Sequence, residues 1–82
     1  MSEHSRLQWR CRRGTLELDL MLTRYLELRY EDAAQDEQAL FERLLTLEDP
    51  VLLRYLMGQN RPDEPALADL VELIRGLPPL QA

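Results

Sequence analysis

The chain has 82 residues, of which 45 % are hydrophobic and 30 % are charged, and 15 acidic residues against 10 arginines give a net charge of −5. These totals exclude an intrinsically disordered chain, which has a much poorer apolar fraction, and they exclude a multidomain protein. A domain of this size buries only about 60 to 65 % of the surface of its unfolded chain, so a deep catalytic pocket is hard to build.

The first helix is predicted over residues 5–13, "SRLQWRCRR". Ser5 suits the N-cap position, and Gly14 suits the position just beyond the helix end, where the backbone adopts the left-handed conformation. Arginines in the last turn interact favourably with the negative end of the helix dipole. The residues that we expect to face the core are Leu7, Trp9 and Cys11.

The stretch that follows, "TLELDLML" at residues 15–22, allows two interpretations. Alternating leucines are typical of a half-buried strand, but the alternation stops at Thr23. Good helix formers predominate, and there is no run of β-branched residues. We therefore predict a helix over residues 15–30, with an inward stripe of Leu18, Met21, Leu22, Tyr25 and Leu28. Leu16 and Leu20 form a second apolar strip, which is available to a neighbouring helix or to a partner.

A polar loop is predicted over residues 31–35, and two helices follow it. Asp36 suits the N-cap of "EQALFERLLTL", whose inward residues are Leu40, Phe41, Leu44 and Leu45. Asp49 suits the N-cap of the next helix, where Pro50 occupies the first helical position. The segment "VLLRYLM" is nearly all apolar, so this helix is expected inside the bundle, and it stops at Gly58.

The last helix follows the turn-rich connector "QNRPDEP". It begins at Asp63 or Glu64 and continues to Arg75, and Gly76 with two prolines ends it. Its inward residues are Leu67, Leu70, Val71 and Ile74.

The pattern as a whole predicts an all-α fold, a small single-domain bundle of five short helices. The domain spans residues 1–82, with a core over about 5–76 and loose termini. The lone cysteine, Cys11, cannot form an internal disulfide, which favours a reducing compartment, and it is expected to be a small, partly buried filler. No apolar run approaches the ~18 residues that span a membrane, and the N-terminus lacks the apolar core of a secretory signal. We therefore predict a soluble, cytoplasmic protein without membrane insertion. Separately, we expect the chain to be a monomer.

Enzyme signatures are missing from the sequence. There is no glycine-rich nucleotide-binding loop, and no nucleophile stands beside a plausible base in a known motif. The only histidine, His4, lies near the N-terminus, and with Cys11 it provides too few ligands for a metal. We therefore predict that the chain is not an enzyme and that it has no catalytic or metal-binding residues.

Charged residues crowd the junction of the first two helices, at Arg12, Arg13, Gly14, Glu17 and Asp19. One interpretation is structural: Gly14 turns the chain, Glu17 interacts with the positive helix end or with a free backbone N–H, and Arg13 pairs with Glu17. The other is functional: the residues form a docking face, where glycine permits close backbone approach and arginine offers a forked donor to a partner's carboxylate. On these residues alone, the two interpretations are equally good.

Over residues 6–75 the sequence resembles the succinate dehydrogenase flavin-assembly factor family, whose bacterial members are called SdhE or flavinators. The resemblance is carried by "WRCRRGTLELDLML", the acidic helix after it, "LLTLEDPVLLRYLMG" and the proline-containing connector. The family signature, arginine-glycine-x-x-glutamate, is intact from Arg13 to Glu17. The chain departs from the family at Val51, where a second acid is frequent, and at Tyr55, where tryptophan is frequent.

The resemblance implies a helper and not a catalyst. Members bind the flavoprotein subunit of succinate dehydrogenase, or in some bacteria of fumarate reductase, and promote autocatalytic covalent attachment of FAD to a histidine of that subunit. Carried over, the partner-binding residues are Arg13, Gly14, Glu17 and Asp19, and the contact is extended by Trp9, Arg10 and Arg12, although Trp9 also suits the edge of the core. FAD then acts on the partner, and the absence of a dinucleotide fingerprint predicts no tightly bound cofactor on this chain.

Two other functions remain open at this point. Residues 1–13 carry a local net charge of +3 on four arginines, so the chain could be a small nucleic-acid-binding regulator that uses this arm. Against this, the other 69 residues carry −8, which repels phosphates, and no recognition-helix pattern is visible. A structural subunit of a larger complex would share the same fold and the exposed apolar strip.

Overall fold

The structure, a computed structural model, describes residues 3–79. These residues form five α-helices and one 3₁₀ turn, and no strand is found among them, so the predicted all-α bundle is confirmed. The helices are α1 (Glu3–Arg10), α2 (Leu16–Leu28), α3 (Gln35–Leu44), α4 (Asp49–Leu56) and α5 (Pro65–Arg75), and the 3₁₀ turn, Tyr30–Asp32, lies between α2 and α3. None of the described helices is both long enough and apolar enough to cross a membrane.

The core lies between α2 and the last three helices. α5 contacts α2, α3 and α4, whereas α1 packs mainly against α2. Each helix contributes apolar residues at helical spacing, which is how an amphipathic helix gains stability from burial. The core cluster consists of Leu7, Cys11, Leu18, Leu22, Tyr25, Leu26, Tyr30, Phe41, Leu44, Leu45, Leu52, Leu56, Leu67, Leu70, Val71 and Ile74.

An aromatic cluster and two tyrosine hydroxyl hydrogen bonds connect α2 and the 3₁₀ turn to α3. The ring of Tyr25 lies 4.4 Å from that of Phe41, and the ring of Tyr30 lies 5.9 Å from Phe41, measured between centroids. The Tyr25 hydroxyl donates to Glu37 at 2.6 Å, and the Tyr30 hydroxyl donates to Glu42 at 2.8 Å. Burial, and then these hydrogen bonds, raise the pKa of Tyr30 to about 12 and the pKa of Tyr25 above its ordinary range. Both rings are therefore buried without leaving a hydroxyl unsatisfied.

Several predicted helix boundaries are wrong. α1 begins at Glu3 and not at Ser5, and because it ends at Arg10, the predicted position of Gly14 just beyond its end is also wrong. Asp36 and Asp49 are not N-caps, since α3 begins two residues earlier, and α4 one residue earlier, than those predictions require. The extended backbone at the preceding cap residues, Ala34 and Glu48, starts these helices without a side-chain cap bond.

The region around the end of α2 also differs from the prediction. α2 ends at Leu28 and not at residue 30, and part of the predicted loop over residues 31–35 belongs to the 3₁₀ turn. At the other end of the chain, Leu77 packs against the core, and its carbonyl accepts from Arg24 at 3.4 Å, although the sequence predicts a loose tail there. The outermost residues of both predicted loose termini, 1–2 and 80–82, lie outside the described residues.

Two side chains of α1 and α2 that were predicted to face inward are exposed. Trp9 is 66 % exposed and does not face the core, because α1 packs on α2 through Leu7. Leu28 is 43 % exposed, and Leu26, one turn beyond Leu22, is buried in its place. Cys11 faces the core as predicted, but it is fully buried and not only partly buried.

We expect the free energy of unfolding to fall as the pH rises from 8 to 10, partly because of Cys11. Burial raises the pKa of this thiol from 9.0 to about 12. The unfolded chain therefore loses the thiol proton first, which favours unfolding above pH 9. Urea denaturation at pH 8 and pH 10 should show a loss of about 1 kcal/mol that a Cys11→Ala variant lacks. An equal loss in the two proteins would contradict this assignment.

Candidate functional site

The corner, which we define as residues 11–15, joins α1 to α2. Gly14 in this corner has φ of +86°, a left-handed conformation that glycine adopts without steric cost. A Cβ atom built at Gly14 would meet nothing within 4 Å. The glycine is therefore required here by backbone conformation and not by crowding inside the chain, and its backbone is open to approach from outside.

The side chain of Arg13 turns inward and is 16 % exposed. Its Nε donates to Oδ1 of Asp49 at 2.8 Å, Nη1 donates to the carbonyl of Leu45 at 2.9 Å, and Nη2 donates to the carbonyl of Leu47 at 2.6 Å. Nη1 also donates to the carbonyl of Arg10 at 3.2 Å. One guanidinium thus links the end of α1 to the loop between α3 and α4 and to the first turn of α4.

The pairing of Arg13 with Glu17 that the sequence predicts is wrong, because the ion pair of Arg13 is with Asp49. Glu17 is exposed in the first turn of α2. Within residues 3–79, its carboxylate accepts no hydrogen bond, so the half capping box predicted for it is not formed either. The structural interpretation also predicts that Glu17 interacts favourably with the positive end of the helix dipole, and its position in the first turn of α2 allows this interaction.

Asp19 fixes the corner from the side of α2. Its Oδ1 accepts the backbone N–H of Arg13 at 2.6 Å, and the residue is half-buried. Sequence reasoning included Asp19 in the cluster but gave it no bond, and it missed Asp49 altogether as a partner of Arg13. No local signal could have identified Asp49, because it lies 36 residues further along the chain.

Three large apolar side chains are exposed around the corner. Trp9 is 66 % exposed, Leu16 is 69 % exposed and Leu20 is 47 % exposed. Leu16 and Leu20 are four residues apart and therefore lie on the same face of α2. The guanidinium carbon of Arg12 lies 5.7 Å from the centroid of the Trp9 ring, which is a cation–π distance.

An open groove of about 440 Å³ lies beside this surface, lined by Ser5, Gln8, Trp9, Arg12 and Thr23. It runs between residues of α1 and of α2. We call the exposed set Trp9, Arg12, Gly14, Leu16, Glu17 and Leu20 the corner surface. Its composition, aromatic and aliphatic groups with one charge of each sign, resembles the centre of a protein–protein interface more closely than a solvated helix face.

The seven predicted partner-binding residues fall into two groups. Trp9, Arg12, Gly14 and Glu17 are exposed on the corner surface. Arg13 and Asp19 are engaged within the chain, and Arg10 donates to the carbonyl of Glu42 at 3.2 Å. The forked donor that we expected Arg13 to offer a partner is thus directed at this chain's own atoms. The contact of the seven residues with a partner stays a prediction.

Comparison with known proteins gives consistent matches over nearly the whole chain. A protein-family profile described as "Flavinator of succinate dehydrogenase" matches residues 5–78. The chain is 48 % identical over 77 residues to the FAD assembly factor SdhE of Methylococcus capsulatus, with 94 % of this chain and 93 % of that protein covered. It is 42 % identical over 73 residues to the protein of that name from Legionella pneumophila, with 89 % and 91 % covered. It is 40 % identical over 72 residues to the one from Shewanella oneidensis, with 88 % of each covered.

We expect Gly14→Ala to lower the free energy of unfolding by about 1 kcal/mol, because alanine is strained at a positive φ. Gly14→Asn should cost less, since asparagine tolerates the left-handed region. Urea unfolding of the purified variants measures both changes. Gly76→Ala is the matched control: Gly76 has φ of −89°, and an added Cβ would make only ordinary contacts there. Equal losses at Gly14 and Gly76 would show that backbone conformation is not what requires Gly14.

Proposed function

The chain belongs to the family of flavinators of succinate dehydrogenase, and we propose that it is an assembly factor that binds the flavoprotein subunit of that enzyme and promotes covalent attachment of FAD to it. Support for this function comes from the family profile over residues 5–78 and from relatives named FAD assembly factor that are covered almost end to end. The chain itself is not a catalyst, since the family acts as an assembly factor.

The observation that carries the proposed site is the corner surface. Three large apolar side chains lie exposed on the two helices that meet at this corner, and each gains free energy if a partner covers it. Here the exposed leucines and the tryptophan flank a glycine whose backbone is open to approach. We therefore propose that the partner subunit packs on the corner surface, with Gly14 near the centre of the contact.

The proposed mechanism is control of the partner's shape. Attachment of FAD requires the flavin to be held close to the partner's own histidine, and orientation of two reacting groups alone can provide a large rate gain. A helper that binds the competent conformer of the partner more tightly than other conformers increases the population of that conformer. The residues of this chain then bind and orient, and the covalent chemistry takes place within the partner.

Three finer points stay predictions. The related flavoprotein of fumarate reductase is a second possible partner, the chain acts as a monomer, and FAD is held by the partner and not by this chain. Equilibrium dialysis of the free chain against FAD tests the last point. Gel filtration with light scattering tests the second, and reconstitution with each purified flavoprotein tests the first.

The nucleic-acid alternative requires arginines that can face phosphates. In the N-terminal arm, Arg13 is engaged with the loop between α3 and α4, and Arg10 donates to the carbonyl of Glu42. Arg6 lies 3.9 Å from Glu3, and Arg12 lies over the Trp9 ring. These arrangements favour the assembly-factor proposal. A salt titration with duplex DNA distinguishes the two, since affinity that rests on phosphate contacts falls steeply with salt.

Deletion of the gene tests the proposed function directly. Covalent flavin on the succinate dehydrogenase flavoprotein is seen as fluorescence in a denaturing gel. We expect this fluorescence to fall in the deletion strain and to return when the wild-type gene is supplied on a plasmid. Undiminished fluorescence in the deletion strain would rule out the proposed function in that organism.

Alanine substitution of Leu16 or Leu20 should weaken partner binding with little effect on folding. Covering a largely exposed leucine contributes about 1 to 2 kcal/mol, so we expect the helper concentration that gives half-maximal flavinylation to rise about tenfold for Leu16→Ala. The free energy of unfolding should change by less than about 0.5 kcal/mol, because the side chain is exposed. Leu28→Ala is the control: Leu28 is also exposed, and it lies on the same helix about 18 Å from Leu16. Equal effects at Leu16 and Leu28 would rule out the corner surface as the binding site.

A further inference from the structure

We propose that Arg13 is a positioning residue, which holds the corner in its binding shape through Asp49 and the loop between α3 and α4, and which does not itself bind the partner's carboxylates. The inference rests on the proposed function, because the binding shape concerns the partner subunit. It assigns a role to Asp49, which lies outside the corner, and it reassigns the arginine of the family signature from the contact to its support.

The hydrogen-bond capacity of the guanidinium is nearly exhausted within the chain. Arginine has five N–H donors in a fixed fork, and four of these are used by Asp49, Leu45, Leu47 and Arg10. A carboxylate bound in the forked manner needs two parallel N–H groups on one edge of the guanidinium. A guanidinium can offer a carboxylate either the edge with Nε and Nη2 or the edge with Nη1 and Nη2. In Arg13, Nε and both N–H groups of Nη1 already donate within the chain, so neither edge has two free donors.

The acceptors of Arg13 are the kind that a cation stabilises. α3 ends at Leu44, and the carbonyls of Leu45 and Leu47 follow it, where helix geometry leaves carbonyl groups without helical donors and the dipole is negative. Asp49 lies in the first turn of α4 and adds a full negative charge. One side chain thus satisfies groups at the end of α3 and at the beginning of α4, and loss of that side chain would leave several half-buried acceptors unpaired.

The backbone of Arg13 is fixed as firmly as its side chain. Its N–H donates to Asp19 of α2 at 2.6 Å, so the residue is tied to α2 by its main chain and to the loop between α3 and α4 by its guanidinium. Gly14 is the next residue along the chain. The direction in which the open backbone of Gly14 faces, and the position of Leu16 and Glu17 behind it, are therefore set by these bonds.

The two possible roles of Arg13 predict opposite effects of Asp49. If Arg13 positions the corner, removal of the Asp49 carboxylate should weaken partner binding in the same way as removal of the guanidinium. If Arg13 contacts the partner directly, removal of Asp49 should free the guanidinium and leave binding unchanged or stronger. Asp49→Asn keeps an oxygen at Oδ1 that accepts from Nε, so positioning also predicts that this variant retains more binding than Asp49→Ala.

The test is a double-mutant cycle with Arg13→Gln, Asp49→Ala and the double variant, in flavinylation reconstituted from the purified partner and FAD. We expect each single variant to raise the half-saturating helper concentration about tenfold, the double variant to be no worse than either single one, and Asp49→Asn to restore most of the binding. Arg43→Gln is the control for loss of an ion pair elsewhere, since Arg43 pairs with Glu64 through two bonds of 2.7 and 3.1 Å, and it should leave the half-saturating concentration unchanged.

A second measurement on the free chain separates this inference from the proposed function and from loss of folding. The amide resonance of Gly14 should shift in Arg13→Gln and Asp49→Ala and not in Arg43→Gln, under conditions where far-UV circular dichroism shows all three folded. Impairment in Arg13→Gln with normal activity in Asp49→Ala would overturn the positioning role, as would an unmoved Gly14 resonance in both. If the wild-type chain fails to stimulate flavinylation, the proposed function fails, and the Gly14 resonance of Asp49→Ala then decides whether Asp49 and Arg13 position the corner, because Gly14 follows Arg13 directly and its resonance shifts with any substitution there.

Discussion

The hydrogen bonds of Arg13 are the interaction that attaches the corner between α1 and α2 to the rest of this small bundle. α1 packs mainly on α2, and the corner that joins these helices is too short to have a core of its own. The guanidinium of Arg13 connects that corner to Leu45, Leu47 and Asp49, which belong to the other half of the chain. A thin core leaves more of the orientation of the helices to such polar links than a large domain would, because fewer side chains interlock.

Between residues 13 and 20, some side chains face the interior of the chain and the others face solvent. Arg13, Leu18 and Asp19 are turned inward, whereas Gly14, Leu16, Glu17 and Leu20 remain outside. The outward apolar side chains are thus presented on a corner that is anchored from within. Rigid presentation matters for binding, since a surface that is already ordered loses less conformational freedom when a partner covers it.

The sequence was sufficient for the fold but not for the pairing of the corner residues, and the reason is the range of the interactions. Helix periodicity and punctuation by glycine and proline are local, so the five helices and most core residues, such as Leu18, Phe41 and Ile74, could be predicted. The bond between Arg13 and Asp49 spans 36 residues, so the sequence alone does not indicate it. From the sequence, the expected partner of Arg13 is therefore a nearby acidic residue, Glu17. Trp9 was misplaced for a similar reason, because the face of a short helix that packs depends on where its neighbour lies.

The fold changes the interpretation of the positive charge in the N-terminal arm, residues 1–13. The local net charge of +3 suggested a basic surface, yet Arg13 is paired with Asp49 and Arg10 is directed at Glu42 of α3. Two of the four arginines of the arm therefore attach α1 and the corner to the acidic body of the same chain. The remaining outward arginine of the corner, Arg12, lies over the ring of Trp9. Under the proposed function, recognition of the partner on this surface depends on apolar contact and shape more than on net charge, so its affinity is expected to be far less sensitive to salt than that of a phosphate-binding arm.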